Sequence, residues 1–232
     1  MTKPATPHNR IPVITIDGPS ASGKGTVASI VAKKLGFHYL DSGALYRLVA
    51  LAADRAQVSL DDENALAPLA ANLEVRFADG EIWLADERVE NALRSEACGD
   101  GASKVAVFPA VRRALLDLQH AFCKAPGLVA DGRDMGSIVF PDATTKIYLT
   151  ASPEARAERR VKQLMEKGLY VNIQPILQGI KQRDARDSVR SVAPLQKFAD
   201  ASLLDTTALS IDEAVDQVLK RYQQSAGTYE AP

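Results

Sequence analysis

Gly18, Pro19, Ser20, Ala21, Ser22, Gly23 and Lys24 run glycine, four residues, glycine, lysine, and Gly25 and Thr26 follow directly. That spacing builds a phosphate-binding loop. Glycines let the backbone curl so that several N–H groups point at one phosphate, the dipole of a following helix adds positive potential, and the lysine reaches the group being moved. The bland alternative is an ordinary glycine-rich turn. Context argues against it, because a β-branched run, Pro12 to Asp17, leads into the loop and apolar positions at helical spacing leave it.

Moving a phosphoryl group onto a second phosphate brings two anions together, so cations must surround both the acceptor and the oxygens of the transferring group. Arginines occur at Arg47, Arg133, Arg159 and Arg160, then at Arg183, Arg186 and Arg190, the last three spaced for one helical face. Arg133 directly follows a buried strand, at the sheet edge where open α/β folds collect ligands; its bland reading is a salt bridge to Asp131 or Asp134. For Arg159 and Arg160 the bland reading is a solvated helix face, and Asp187 with Arg190 reads as a routine pair on a helix surface. His8, His38 and His120 are scattered with no nucleophile nearby and read as structural, and no acid–base dyad is evident.

These residues need a scaffold that brings distant loops together. The spacing predicts a helix from Gly23 to Leu35 capped by Gly36, a strand over 37–41, and a helix through Leu45, Leu48, Val49 and Ala52. Alternation then lapses from Asp61 to about Ala106, where a short helix precedes a hairpin of Leu73–Phe77 and Ile82–Leu84 turning at Asp79 and Gly80. It resumes with a helix from Val111 to about Cys123, strands over 127–131 and 146–150, and helices over about 153–167 and 173–190. Leu203, Leu204 and Asp205 read as an edge strand, and Ser210 with Glu213 as a capping box opening the last helix. The pattern predicts an α/β, three-layer fold with a central parallel sheet after a frayed tail at residues 1–10.

The chain has 232 residues, long enough for one domain with insertions, and 28 Lys plus Arg against 29 Asp plus Glu. With a net charge of −1 there is no basic excess to hold nucleic acid or an anionic membrane. Cys98 and Cys123 lie far apart with no metal-ligand spacing, which suits a reducing cytoplasm. MTKPATPHNR lacks the apolar run of a signal peptide, and no stretch is long and apolar enough to span a bilayer, so a soluble protein is expected.

Four blocks, Ile16–Thr26, Leu40–Arg47, Ala130–Gly136 and Val192–Leu195, together resemble the bacterial cytidylate kinases over about residues 12–222. The resemblance implies transfer from ATP to CMP or dCMP by a single domain: core about 12–60, 107–152 and 169–225, a monophosphate-binding insertion about 61–106 containing the hairpin, and a short helical lid about 153–168. By position it implies ATP binding by Gly18 to Thr26, and Ser103, Arg112 and Asp134 toward cytosine. It also implies Arg183 and Asp187 near the sugar, Arg47, Arg133 and Arg190 at the acceptor phosphate with Ser42 beside them, and Arg159 and Arg160 over the donor phosphates. Lys24, Arg133, Arg159, Arg160 and Arg190 would then be the catalytic cations.

Gly25 stands where a Ser or Thr normally sets a hydroxyl on magnesium. The sequence Gly-Lys-Gly-Thr resembles adenylate kinase and its relatives, which implies Mg2+ held by nucleotide phosphates and water with no direct protein ligand, and Asp131 as a candidate to orient that water. The resemblance also implies a monomer. Two departures stand out: Ala21 and Ser22 inside the loop, and Gly99, Asp100 and Gly101 where a less glycine-rich helix is expected before Ser103. Rival readings are a P-loop kinase of another small acceptor, UMP or shikimate-like, and a non-catalytic nucleotide-binding module; the lid arginines favour catalysis over the latter.

Overall fold

The structure, a computed structural model, describes residues 11–78, 81–166, 168–190 and 194–226. The expected frayed tail, His8, the Asp79–Gly80 turn, the end of the lid at Lys167, and Val192 with Ala193 of the fourth block lie outside the described residues.

β1 (Val13–Asp17) leads through the glycine-rich loop to α1 (Lys24–Leu35), then β2 (His38–Asp41) and α2 (Ser42–Arg55). After an excursion of small elements come α6 (Pro109–His120), β6 (Leu128–Gly132), β7 (Thr145–Thr150), α7 (Pro153–Met165), α8 (Ile173–Ser188), β8 (Ser202–Asp205) and α9 (Ile211–Ala226). The five long-range strands form one parallel sheet in the order β2-β6-β1-β7-β8. The chain leaves β1 to one side, returns through β6, then crosses to β7, so the loop after β1 sits at the switch of direction where such sheets bind ligands.

Alternation along β1 sends side chains to two cores. Ile14 and Ile16 pack with α1 and α9 residues such as Val27, Val31, Val215 and Val218. Val13 joins Leu45, Leu48, Leu66 and Leu115 from α2, α3 (Glu63–Ala71) and α6. Helices therefore cover both faces, giving the expected three layers. Gly36 ends α1 in the left-handed conformation at φ 68, and Ser210 and Glu213 exchange the bonds of a capping box before α9. His38 and His120 each bond a backbone carbonyl, of Ala125 at 3.0 Å and of Val139 at 2.8 Å, so both hold structure.

The excursion comprises α3, β3 (Val75–Ala78), β4 (Glu81–Leu84), β5 (Glu87–Arg88), α4 (Glu90–Leu93) and α5 (Glu96–Val105). The hairpin is extended by a third strand that the sequence reading did not expect: Trp83 and Leu84 pair with Arg88 and Glu87. Gly99 and Gly101 do not break α5. A Cβ at Gly99 would lie 3.2 Å from the Arg47 guanidinium and 3.4 Å from that of Arg183, and one at Gly101 would lie 3.0 Å from Ala50. Small residues let α5 press against α2 and leave room for two arginines.

Candidate active site

The loop after β1 closes tightly on the sheet. A Cβ at Gly18 would fall 1.9 Å from the carbonyl oxygen of Leu149 in β7, which is why only glycine fits there. Gly23 caps α1 at φ 91, and Ala21 takes a left-handed φ of 57. Ser20, Ala21, Ser22, Gly23, Lys24, Gly25 and Thr26 line a cavity of about 1000 Å³, while Gly18 and Pro19 lie outside it and act through the backbone turn.

A second cavity of about 200 Å³ adjoins the first and is lined by Ser42, Ser103, Arg112, Arg133, Asp134 and Arg190 among others. Lys24, Asp41, Arg47 and Arg183 line both cavities, so the loop lysine stands where they meet. Burial and the nearby Arg133 charge push the Lys24 ammonium below its ordinary value.

Asp187 organises the smaller cavity. Its carboxylate accepts from Arg133 Nε at 3.2 Å, from the Ser103 hydroxyl at 3.0 Å, and from Arg190, which also donates to the Ser103 hydroxyl at 3.0 Å. Burial alone would push this carboxyl up, but Arg133, Arg190 and Arg183 together outweigh it and hold it below the usual range. The expected surface pair of Asp187 and Arg190 is therefore corrected: the two do pair, but buried, with Arg190 just beyond the end of α8. The bland reading of Arg133, a salt bridge to Asp131 or Asp134, is replaced by its bond to Asp187.

Arg183 is short of counter-charge. Its Nε is buried without a partner, and burial with the charges of Arg133, Arg47 and Arg190 pushes the guanidinium down to about 10. Cations crowded this way are stabilised by a compact anion, and the cavity they line has room for a phosphate. Arg47 donates to the carbonyls of Leu93 and Ser95 at the end of α4. Arg112 pairs with Asp134 and lies 5.7 Å from the Tyr46 ring centroid. The Ser42 hydroxyl donates to Gln119 at 2.9 Å.

From α7, Arg159 donates to the Ser22 carbonyl at 2.9 Å and to the Thr206 hydroxyl at 3.1 Å, lying against the phosphate loop. Arg160 pairs with Glu96 of α5 across the mouth of the larger cavity. The buried Arg156 donates to the Ser20 carbonyl at 3.1 Å and grips Asp184 of α8 with two nitrogens, at 3.0 and 2.5 Å. Among the described residues no group of three or more His, Cys, Asp or Glu side chains could hold a metal, and no helix is long and apolar enough to cross a membrane.

A sequence profile described as cytidylate kinase matches residues 14–224. The chain belongs to the cytidylate kinase family. It is 61% identical over 214 residues to a cytidylate kinase of Chromobacterium violaceum, covering 92% of this chain and 96% of that protein. It is 57% identical over 215 residues to one of Nitrosomonas europaea, covering 93% and 96% respectively. A gluconokinase structure from Sinorhizobium meliloti aligns at a TM-score of 0.49 and 14% identity, covering 94% of this chain and 95% of that one; the family assignment rests on the sequence relatives.

In this member of the cytidylate kinase family the sequence reading missed several residues of the site. Asp17 accepts from the backbone N–H groups of Met135 and Gly136, both at 2.8 Å, and so anchors the π-helical turn Met135–Val139 that follows the Asp131–Asp134 block. Burial raises its carboxyl to about 6 while those amide bonds oppose the rise. An acidic residue closing an otherwise apolar strand was the available signal. Arg156 also had a signal, since it stands three residues before Arg159 on one helical face, whereas Glu96 had none.

Proposed function

We propose that this chain transfers the γ-phosphoryl group of ATP to CMP or dCMP, giving ADP and CDP or dCDP. The carrying observation is the position of Lys24 at the meeting of a large cavity, floored by a phosphate loop, and a small one rimmed by arginines. An oxygen of the acceptor phosphate attacks the γ-phosphorus, the bond to the β,γ-bridging oxygen breaks, and ADP leaves. Lys24 bridges the transferring group, while Arg47, Arg133 and Arg190 balance the acceptor dianion; Arg183, set near the sugar by the resemblance, joins them because its guanidinium is crowded by Arg133, Arg47 and Arg190. Arg159 and Arg160 come from α7, the lid at 153–168; Arg160 exchanges Glu96 for donor phosphate as the lid closes and excludes water. Residues 61–106 form the monophosphate-binding insertion.

Cytosine offers an exocyclic amine beside ring acceptors, which suits the Arg112–Asp134 pair with its donor and acceptor. Ser103 keeps its hydroxyl within the Asp187–Arg190 network at the border of base and sugar. Mg2+ would supply neutralisation of the nucleotide's phosphate charge; it would be held mainly by nucleotide and water, and the Asp41 and Asp131 carboxylates that line the smaller cavity fit contacts to that water. The resemblance to the bacterial cytidylate kinases implies a monomer, and a cytoplasmic location suits its substrates.

ADP release measured with CMP, dCMP, UMP, AMP and shikimate separately, against a no-acceptor control, tests this reading. Turnover with CMP and dCMP alone is expected; equal turnover with UMP or shikimate overturns it. Arg112→Met should raise the KM for CMP about 10²-fold, as lost bidentate recognition of a base does, with the KM for ATP unchanged.

Asp131 supplies a pH signature. Burial and the neighbouring Asp41 charge hold its carboxyl well above the ordinary range, with Lys24 opposing. It ionises only as pH rises toward neutrality, so kcat/KM for CMP should climb through two ionisations on the acid side: the acceptor phosphate near about pH 6, and Asp131 above it. Asp131→Asn should remove the upper one and leave the lower. An unchanged profile would exclude Asp131 from the reacting state.

A further inference from the structure

Tyr39 stands on β2, two residues before Asp41, and Asp41 is the register partner of Asp131 on β6. Two-residue alternation puts Tyr39, Asp41, Val129 and Asp131 on the sheet face that α1 covers, where the Tyr39 ring packs against the cluster of Val27, Val31 and Val129. From there its hydroxyl donates to Asp131 Oδ2 at 2.9 Å. The same two atoms roof the first turn of α1. A Cβ at Gly25 would lie 2.9 Å from Asp131 Oδ2 and 3.4 Å from the Tyr39 hydroxyl, so the Ser or Thr that usually follows a P-loop lysine would have to displace one of them.

We infer that Tyr39 is a positioning residue for phosphoryl transfer: its hydroxyl fixes the Asp131 carboxylate beside Lys24, in the space where other P-loops carry a Ser or Thr hydroxyl. The inference rests on the phosphotransferase reading of the site. The charges facing the buried Asp131 carboxylate compete for it: Lys24 of α1 attracts it, Asp41 of β2 repels it, and Arg133 attracts it from its own loop. Collapse onto Lys24 would tie up the ammonium that the phosphate needs. A neutral donor held by a packed ring fixes one carboxylate oxygen without adding a competing charge and leaves the lysine to the nucleotide.

Tyr39→Phe keeps the ring packing and removes only the hydroxyl. A hydrogen bond to an ionised acceptor corresponds to a factor of about ten or more, so kcat with CMP should fall about tenfold while the KM values for CMP and ATP stay unchanged. In an Asp131→Asn background the same substitution should change kcat less than about twofold, because the partner it acts through is gone. In ligand-free protein, the 13C-carboxyl titration of Asp131 should move to higher pH in Tyr39→Phe, since a donor to the ionised form is lost. An unchanged kcat, equal losses in both backgrounds, or an unmoved Asp131 titration overturns the inference. Absence of CMP phosphorylation by the parent enzyme would instead sink the phosphotransferase reading, and the ligand-free titration would still report on the Tyr39–Asp131 bond.

Discussion

Lys24→Ala is expected to lower kcat/KM for CMP by about three orders of magnitude, with a circular dichroism spectrum and melting temperature close to the parent's. The lysine lies where the larger and smaller cavities meet, and burial already disfavours its charge. That placement makes sense for a cation whose task is to meet phosphate, because the unfavourable burial is offset when the anion arrives. Truncation removes a charge whose burial is unfavourable in the ligand-free protein, so the fold should tolerate it. Steady-state kinetics beside a thermal melt would separate the two readouts. A folded variant keeping more than about a tenth of parental turnover would remove Lys24 from the transition state and the phosphate loop from the mechanism.

Gly18→Ala should fail for the opposite reason, by unfolding. Its Cβ would sit 1.9 Å from the Leu149 carbonyl oxygen and 3.0 Å from the carbonyl carbon, and neither belongs to a flexible side chain. Either β1 or β7 must shift, so a loss of about 4 kcal/mol or more is expected. For a chain of this length that is a fall of roughly 10 °C in Tm. Gly179→Ala is the internal control: Gly179 lies within α8, and a Cβ there meets nothing within 4 Å. Helix propensity alone should then stabilise by up to about 1 kcal/mol. Comparable destabilisation in both variants would mean that crowding at Leu149 is not what requires glycine at position 18.

Local signals made much of this fold legible. The P-loop spacing, the β-branched runs and the capping box of Ser210 and Glu213 each act over a few residues, and each reads correctly from the chain alone. What the sequence hid was pairing across distance. The Asp187 network joins α5, α8 and the loop after β6, and no helical period reports that Ser103 and Arg133 converge on one carboxylate. The same holds for Gly99, whose meaning lies in Arg47 and Arg183 rather than in the propensity of α5. Asp187 and Arg190 were legible as a pair but not as buried, because spacing gives adjacency and says nothing about what covers it. The third strand of the small sheet, Glu87–Arg88, is too short and polar to register as a strand by alternation.

The strand order also bears on how the chain acquires nucleotide binding during synthesis. β1 and the glycine loop leave the ribosome first, but β1 is flanked by β6 and β7, whose residues emerge more than a hundred positions later. Gly18 leans on Leu149, and Asp17 closes on Met135 and Gly136. A nascent chain halted before β7 therefore carries the whole glycine loop without the neighbours that shape it, and the growing chain remains dependent on its later strands.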